Sequence, residues 1–295
     1  MERTGHAMKL VMDTAAYLAR IGLAQAPAAD PAGLAAVQAA HRQTIPFENL
    51  AVMAGGTIAC DSGPVFAKLV TARRGGFCFE HNRLMADMLG AMGFDAALLL
   101  ARVLLGSPAE TTPRTHCLVL VRFDEEAWIA DAGFGGGYAP PMPLEDGAMV
   151  GSMDGAQHRL RRIGEEGSIP GAWLLERKGP QGPTDGRSAS DTLWEPQFAF
   201  DLAEVAQADM AMGCHWAATH ESSRFTSLHV ASMCLPDGFV SLVDRELSLW
   251  RAGTEPEKRT VPDAAEYRRL LDHHFGLELS AEEIARLPLW RQSPS

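Results

Sequence analysis

The sequence predicts an α+β chain: a helical first third, a middle third forming an antiparallel sheet or barrel, and a last third that mixes both. Three patterns carry this. Apolar residues recur at a helical period from Cys78 to Met92, short β-rich runs follow one another between residues 96 and 131, and helix and strand signals alternate beyond residue 200.

In order along the chain, Asp13 can cap a helix carrying Ala16, Tyr17, Ile21 and Leu23, and Pro27 and Pro31 interrupt it before further helical turns from Leu34 to His41. IPFENL, residues 45 to 50, reads as a buried loop. Leu84, Met85, Met88, Leu89 and Met92 share one face of the next helix, and Gly93 is its stop. Ala96 to Leu105, His116 to Phe123 and Trp128 to Asp131 read as strands, as does Ala172 to Arg177. Ser188 to Pro196 reads as a link to the last third. There, Asp201 to Met212 resembles a helix, and Ser227 to Leu235 and Gly238 to Asp244 resemble strands. Asp263 to Phe275 is an amphipathic helix, and Ser280 with Glu283 forms a capping-box pattern.

The chain has 295 residues, 46% hydrophobic and 21% charged, which is enough for one large core or two to three small domains. A net charge of −11 argues against a nucleic-acid partner, while leaving room for an anionic cofactor in a local basic pocket. No secretory signal or membrane span is read, and a cytoplasmic location is expected. The five cysteines, Cys60, Cys78, Cys117, Cys214 and Cys234, are odd in number and irregularly spaced. Reduced thiols are expected rather than a disulfide framework.

The chemistry concentrates at RRGGFCFEHN, residues 73 to 82. A cysteine at a helix start meets free amides and the positive end of the helix dipole, which lower a thiol pKa. Arg73 and Arg74 can add to that if they point toward the sulfur. Gly75 and Gly76 permit a sharp turn and access to the sulfur, and the same amides can stabilise an oxyanion. The thiol needs a base. THCLVLVRFDEEAWIAD reads as a hairpin turning near Asp124 to Glu126, which brings His116 and Asp131 to the same end of the strand pair. A carboxylate beside an imidazole fixes its tautomer. The plainer readings stand beside these. Cys78 is also read as a small buried hydrophobe, His116 as a surface residue and Asp131 as a strand end. Glu80 and Asn82 read as caps of the loop around Cys78. His81 has no second cluster at metal-site spacing, so no metal is expected. GFGGG lacks a dinucleotide-binding context.

RRGGFCFEHN, HCLVLV and DAGFGGG resemble the three active-site segments of the arylamine N-acetyltransferases. His116 follows Cys78 by 38 residues and Asp131 follows His116 by 15, intervals that agree with bacterial members. AAYLARIGL resembles the family's first helix, IPFENL its segment upstream of the cysteine, and HWAATHESSRF the start of its last domain. The resemblance implies an N-terminal helical bundle (1–92), a central antiparallel β-barrel (93–201) and a C-terminal α/β lid (202–295), with a cysteine-protease-like core. It implies acetyl-coenzyme A as donor and aromatic amines, hydrazines or hydroxylamines as acceptors. Cys78 would carry the acetyl group as a thioester, His116 would be the base and Asp131 its orienting carboxylate. Phe47 and Phe134 match acceptor-pocket positions, and Thr112, Gly133, Ser222 and Ser223 sit in segments that contact coenzyme A. Pro113 departs from the family pattern at the cofactor entrance, and His220 and Arg224 are placed to meet phosphate or solvent. A thiol hydrolase with the same triad, a biosynthetic amide synthase of the same fold and a redox-sensing thiol protein are the rival readings. Monomer and homodimer both stay open.

Overall fold

The computed structural model describes residues 13–106, 112–135, 137–184 and 186–290. Its helices start where side chains offer caps. α1 (Thr14–Ile21) begins at Asp13, whose carboxylate accepts from the Ala16 amide, and stops at Gly22 in the left-handed region. α2 (Pro31–Thr44) has Asp30 as cap and Pro31 in its first turn. Segment 45–50 is buried, as expected, but is not a plain loop. It contains a two-residue strand, β1 (Phe47–Glu48), and opens the short helix α3 (Leu50–Met53). α4 (Ser62–Phe66) and a single π turn (Ala67–Thr71) lead to α5 (Cys78–Ala91), which buries Leu84, Met85, Met88 and Leu89 on the expected face.

Eight antiparallel strands follow: β2 (Asp95–Val103), β3 (His116–Phe123), β4 (Glu126–Ala130), β5 (Met142–Pro143), β6 (Met149–Gly151), β7 (Gln157–Arg162), β8 (Trp173–Lys178) and β9 (Glu195–Phe200). They form a barrel-like sheet in the order β5-β4-β3-β2-β9-β8-β7-β6. β3 explains why its sequence is an unbroken apolar run. Val119 and Val121 face the core shared with α1, α2 and α5, whereas Leu118 and Leu120 face the sheet's own interior with Phe198, Phe200 and Leu175. The same alternation sends His116 to the interior face and Cys117 toward α5. The β3–β4 hairpin turns at Asp124, with Phe123 paired to Glu126.

Two expectations are corrected here. Residues 188–196 do not simply link to the last third, because Glu195 already begins β9, which pairs with both β2 and β8. Pro196 is tolerated where the register shifts between Leu175 and Glu176. The helix expected at 201–212 is displaced to α6 (Gln207–Thr219). Asp201 accepts from the Ala172 amide and pairs with Arg114, so it belongs to the end of the sheet and cannot join a helix.

The remaining strands, β10 (Val230–Leu235), β11 (Gly238–Val243), β12 (Glu246–Arg251) and β13 (Glu257–Thr260), form a second sheet in the order β1-β10-β11-β12-β13. Its first strand is therefore Phe47–Glu48, which carries the helical segment's chain into this sheet. α7 (Ala264–Phe275) is capped by Asp263 and packs Tyr267, Leu270 and Leu271 onto the sheet, and α8 (Ala281–Arg286) starts with the Ser280–Glu283 capping box. Among the described residues, no helix is long and apolar enough to cross a membrane.

The expectation of five reduced thiols is overturned for two of them. Cys60 and Cys214 form a disulfide across 154 residues, and Cys78, Cys117 and Cys234 are free. Spacing gave no signal, because only the tertiary fold brings α6 against the chain before α4.

Candidate active site

α5 begins at Cys78 because Phe77 is extended and Glu80, three residues on, reaches back to accept its amide at 3.2 Å, while Lys68 holds the other carboxylate oxygen at 2.7 Å. Glu80 is thus the expected cap. The sulfur lies at the helix start, 3% exposed, and its thiol donates to the Thr115 carbonyl at 3.6 Å. Thr115 precedes His116, which is 2% exposed. The imidazole Nε2 lies 2.6 Å from Asp131 Oδ2, so the carboxylate fixes the proton on Nε2 and leaves the lone pair on Nδ1. Phe134 packs edge-on against the ring at 5.1 Å and Phe198 at 5.0 Å, so the ring has little room to turn.

Asp131 is held on every side. Its second oxygen accepts from Asn82 Nδ2 at 2.9 Å and from the Gly133 amide at 2.8 Å, and its own amide donates to Gln38 Oε1 at 2.7 Å. Burial alone would raise this carboxyl. His116, Asn82 and the Gly133 amide outweigh that and keep it below the ordinary carboxylate value. Asn82, expected to satisfy the loop at Cys78, instead clamps the carboxylate. It also donates to the Cys117 carbonyl at 2.6 Å and accepts from the Ala132 amide at 2.9 Å. Arg42, buried on α2, ties down the chain after Asp131 through the carbonyls of Ala132 and Phe134. Gln38 and Arg42 were not singled out from the sequence. Their signal was present: they are polar residues one turn apart on a helix face that also buries Leu34, Val37 and His41.

Three expectations around the thiol are corrected. Arg73 is exposed and Arg74 pairs with Glu283, so neither supplies charge to the sulfur. Gly75 and Gly76 are required for close packing: a Cβ on Gly75 would lie 2.3 Å from the Pro46 carbonyl oxygen, and one on Gly76 2.6 Å from Glu80 Oε2. The Gly76 amide donates to the Pro46 carbonyl and the Phe77 amide to Glu80, so these two are not available to an oxyanion. Last, the isolated thiol is not made acidic. Burial, followed by the Asp131 and Glu80 carboxylates, pushes its pKa up, against the amides of Phe79 and Cys117.

Cys78 and His116 open onto one cleft of about 600 Å³, a small-molecule volume. Phe47, Phe134, Gly133, Thr112, Ser222 and Ser223 all line it, whereas Asp131 lies behind the imidazole. Pro113 and Arg224 line it too. The Ser223 hydroxyl is turned to the protein, donating to the Ala217 carbonyl at 2.5 Å, and Ser222 meets His220 Nδ1 at 2.8 Å. Phe225, Trp216 and Arg187 are lining residues that sequence reasoning missed; the Phe225 ring packs tilted against that of Phe47, with centroids 5.7 Å apart. A larger depression of about 1190 Å³, between residues 180–191 and the β11–β13 sheet, holds none of the expected site residues. His81 bonds His41 and the Pro46 carbonyl, and among the described residues no group of ligating side chains could hold a metal.

Residues 31–284 match the family model described as N-acetyltransferase. The chain is 36% identical over 266 residues to the arylamine N-acetyltransferase of Escherichia coli (strain K12), covering 88% of this chain and 87% of that one. The solved arylamine N-acetyltransferase from Salmonella typhimurium superposes with a TM-score of 0.83 at 31% identity, over 93% of this chain and 97% of that one. The Mycobacterium marinum arylamine N-acetyltransferase in complex with CoA superposes with a TM-score of 0.78 at 28% identity, over 93% and 98%.

Proposed function

The chain belongs to the arylamine N-acetyltransferase family, and on that premise we propose that it moves an acetyl group from acetyl-coenzyme A to the nitrogen of an aromatic amine, hydrazine or hydroxylamine through a thioester on Cys78. The observation that carries this reading is a buried imidazole, held by Asp131 at 2.6 Å, that shares one cleft with a buried thiol.

The raised pKa of the isolated thiol defines how the first step works. A lone thiolate is unfavourable in this setting, so the sulfur ionises by passing its proton to Nδ1 of His116, which forms a thiolate–imidazolium pair that Asp131 stabilises. Sγ attacks the acetyl carbonyl, a tetrahedral adduct forms, and its bond to the coenzyme sulfur breaks. The departing coenzyme thiolate takes the proton from His116 and leaves as the thiol. The acceptor nitrogen then attacks the Cys78 thioester, His116 removes its proton, and Cys78 departs as thiolate, restoring the starting pair. The donor leaves before the acceptor reacts, so the kinetics are ping-pong.

Water is the competing nucleophile. The apolar walls of the cleft, Phe47, Phe134 and Phe225, fit an aromatic acceptor and limit hydration of the thioester.

Incubating the protein with acetyl-coenzyme A alone tests this. One equivalent of coenzyme A should be released, and the peptide bearing Cys78 should gain the mass of an acetyl group. Adding an arylamine such as an anisidine should discharge it as the N-acetyl product. Stable acetylation anywhere except Cys78, or release of acetate with no amide formed for any amine or hydrazine tried, would overturn the reading in favour of another nucleophile or a hydrolase.

A further inference from the structure

The Cys60–Cys214 bond fastens a helix that walls the cleft. Trp216 and Ala217 of α6 line the cleft, and Cys214 precedes them on the same helix. The helix is thinly held otherwise. Of its 13 residues only Met210, Cys214 and Ala217 are buried, a single narrow stripe. Its first residue, Gln207, donates to the Cys60 carbonyl at 3.4 Å and to Asp61 Oδ1 at 3.1 Å. Its middle comes up against the neighbours of the nucleophile. A Cβ on Gly213 would lie 2.7 Å from Phe79 Cζ and 3.0 Å from the Arg114 carbonyl oxygen. Cys60, Cys214, Cys78, Phe79 and Ala217 belong to one apolar cluster. A helix with so little buried area opens locally at low cost, and a covalent closure across 154 residues removes much of that freedom.

We propose that Cys60 and Cys214 form a reversible redox site, opened by a dithiol, that acts as a latch on the cleft. Closed, the bond keeps α6 over the acetylated Cys78. Open, it lets α6 lift and water reach the thioester, so that acetate is released and the Cys78 thiol is restored without an amine. A thiolate of the reductant attacks one sulfur of the bond and the other leaves as a thiolate. The reductant's second thiol then displaces the first, so the reductant ends as a cyclic disulfide and Cys60 and Cys214 each gain one electron and one proton. Both sulfurs are buried, at 5% and 2% exposed, so the attack waits on local opening of α6. The effect on the thioester rests on the acetyl-transfer reading above; the latch on α6 rests on the disulfide alone.

The experiment treats folded protein with dithiothreitol, removes the reagent, and confirms two newly alkylatable cysteines by mass spectrometry. Oxidised and reduced protein are then loaded with acetyl-coenzyme A, freed of excess donor, and followed for loss of the acetyl group from Cys78 with no amine present. The reduced protein should lose it roughly tenfold faster. The double variant Cys60→Ala/Cys214→Ala should match the reduced protein and ignore dithiothreitol. Amide hydrogen exchange locates the change: on reduction, residues 207–219 should exchange while α5 and β3 stay protected. A loss rate within about twofold of the oxidised protein in both the reduced protein and the double variant would overturn the latch. So would α6 protection that tracks that of α5 and β3 in both redox states, since the helix would then open only with the whole molecule. A bond that dithiothreitol leaves intact in the folded protein would overturn the redox site. Absence of any acetyl group on Cys78 would overturn the parent reading instead, and exchange in α6 would still decide the latch.

Discussion

Asn82 Nδ2 lies 2.9 Å from Asp131 Oδ1, one helical turn beyond the cysteine that opens the same helix. The helix that presents the thiol therefore also sets the carboxylate that orients its base. Asn82→Ala would remove the side-chain partner of the Cys117 carbonyl and of the Ala132 amide and leave Asp131 Oδ1 with the Gly133 amide alone. We expect a loss of about 2–4 kcal/mol in stability and a fall in kcat/KM of roughly tenfold or more. Asn82→Asp, which sets a second carboxylate against the first, should be worse on both measures. Wild-type kcat/KM in Asn82→Ala would remove Asn82 from the positioning machinery.

Cys78→Ser should abolish acetyl transfer, since a serine hydroxyl is far harder to ionise than a thiol. Asp131→Asn should lower kcat by roughly three to four orders of magnitude, because an amide at that place favours the wrong imidazole tautomer. Single-turnover acetylation of the enzyme, followed by mass spectrometry, separates the two. The serine variant should gain no acetyl group, and the asparagine variant should gain one slowly. Rapid turnover in Asp131→Asn would mean that the residue is misassigned.

Gly133 lines the cleft, but its lack of a side chain answers to packing. A Cβ there would sit 2.7 Å from the Cys78 Cα and 2.8 Å from Asn82 Nδ2. Backbone cannot yield cheaply, so Gly133→Ala should cost about 1–3 kcal/mol and should depress reaction with acetyl-coenzyme A and with a phosphate-free donor alike. A defect confined to acetyl-coenzyme A would mark the glycine as a coenzyme contact instead.

Acid should unfold the protein through its buried histidines. His81 Nε2 donates to the Pro46 carbonyl, so its Nδ1 accepts from His41 Nε2, and His41 Nδ1 accepts from the Tyr17 hydroxyl. That chain is complete only when both rings are neutral. Burial pushes His81 down to about 3 and His41 well below its usual value. An unfolded histidine titrates near 6.5, so below that pH the unfolded chain binds protons that the folded one refuses. Stability should thus be full above about pH 6.5 and fall toward pH 3, at about 1.4 kcal/mol per pH unit for each ring. Chemical denaturation across that range checks the slope. His81→Asn should flatten it, and an unchanged slope would place the acid sensitivity elsewhere.

The Cys60–Cys214 bond predicts a thiol count. Under denaturant, three cysteines should react before reduction and five after it. Reduction, or Cys214→Ser, should lower stability by about 2–4 kcal/mol, since the bond closes a long loop. Five reactive thiols without reductant would show the pair to be open.

Much of this was legible in the sequence, and the gaps have identifiable causes. α5 and the β3–β4 hairpin announced themselves because their apolar periods are strong and local, and the same regularity placed His116 beside Asp131. β13, with the exposed sequence Glu257–Thr260, carries no apolar pattern and exists because β12 offers it an edge. The sheet's strand β9 hid behind Pro196. Gln38, Arg42 and Asn82 act across dozens of residues through the interior, and no local window reports such a partner. Of the two arginines that line the cleft, Arg224 stood in a segment already marked, while no motif marked Arg187.

Phe47 pairs with Ser232, and Ala101 with Phe200. These contacts span the longest separations in either sheet, and loop-closure entropy makes such contacts slow to form. During synthesis the ribosome delivers Cys78, His116, Asp131 and Asn82 well before Trp216, Ser222 and Phe225. A nascent chain thus owns its reactive thiol and its base before it owns the wall that shelters them, and the last hundred residues convert an exposed nucleophile into a guarded one.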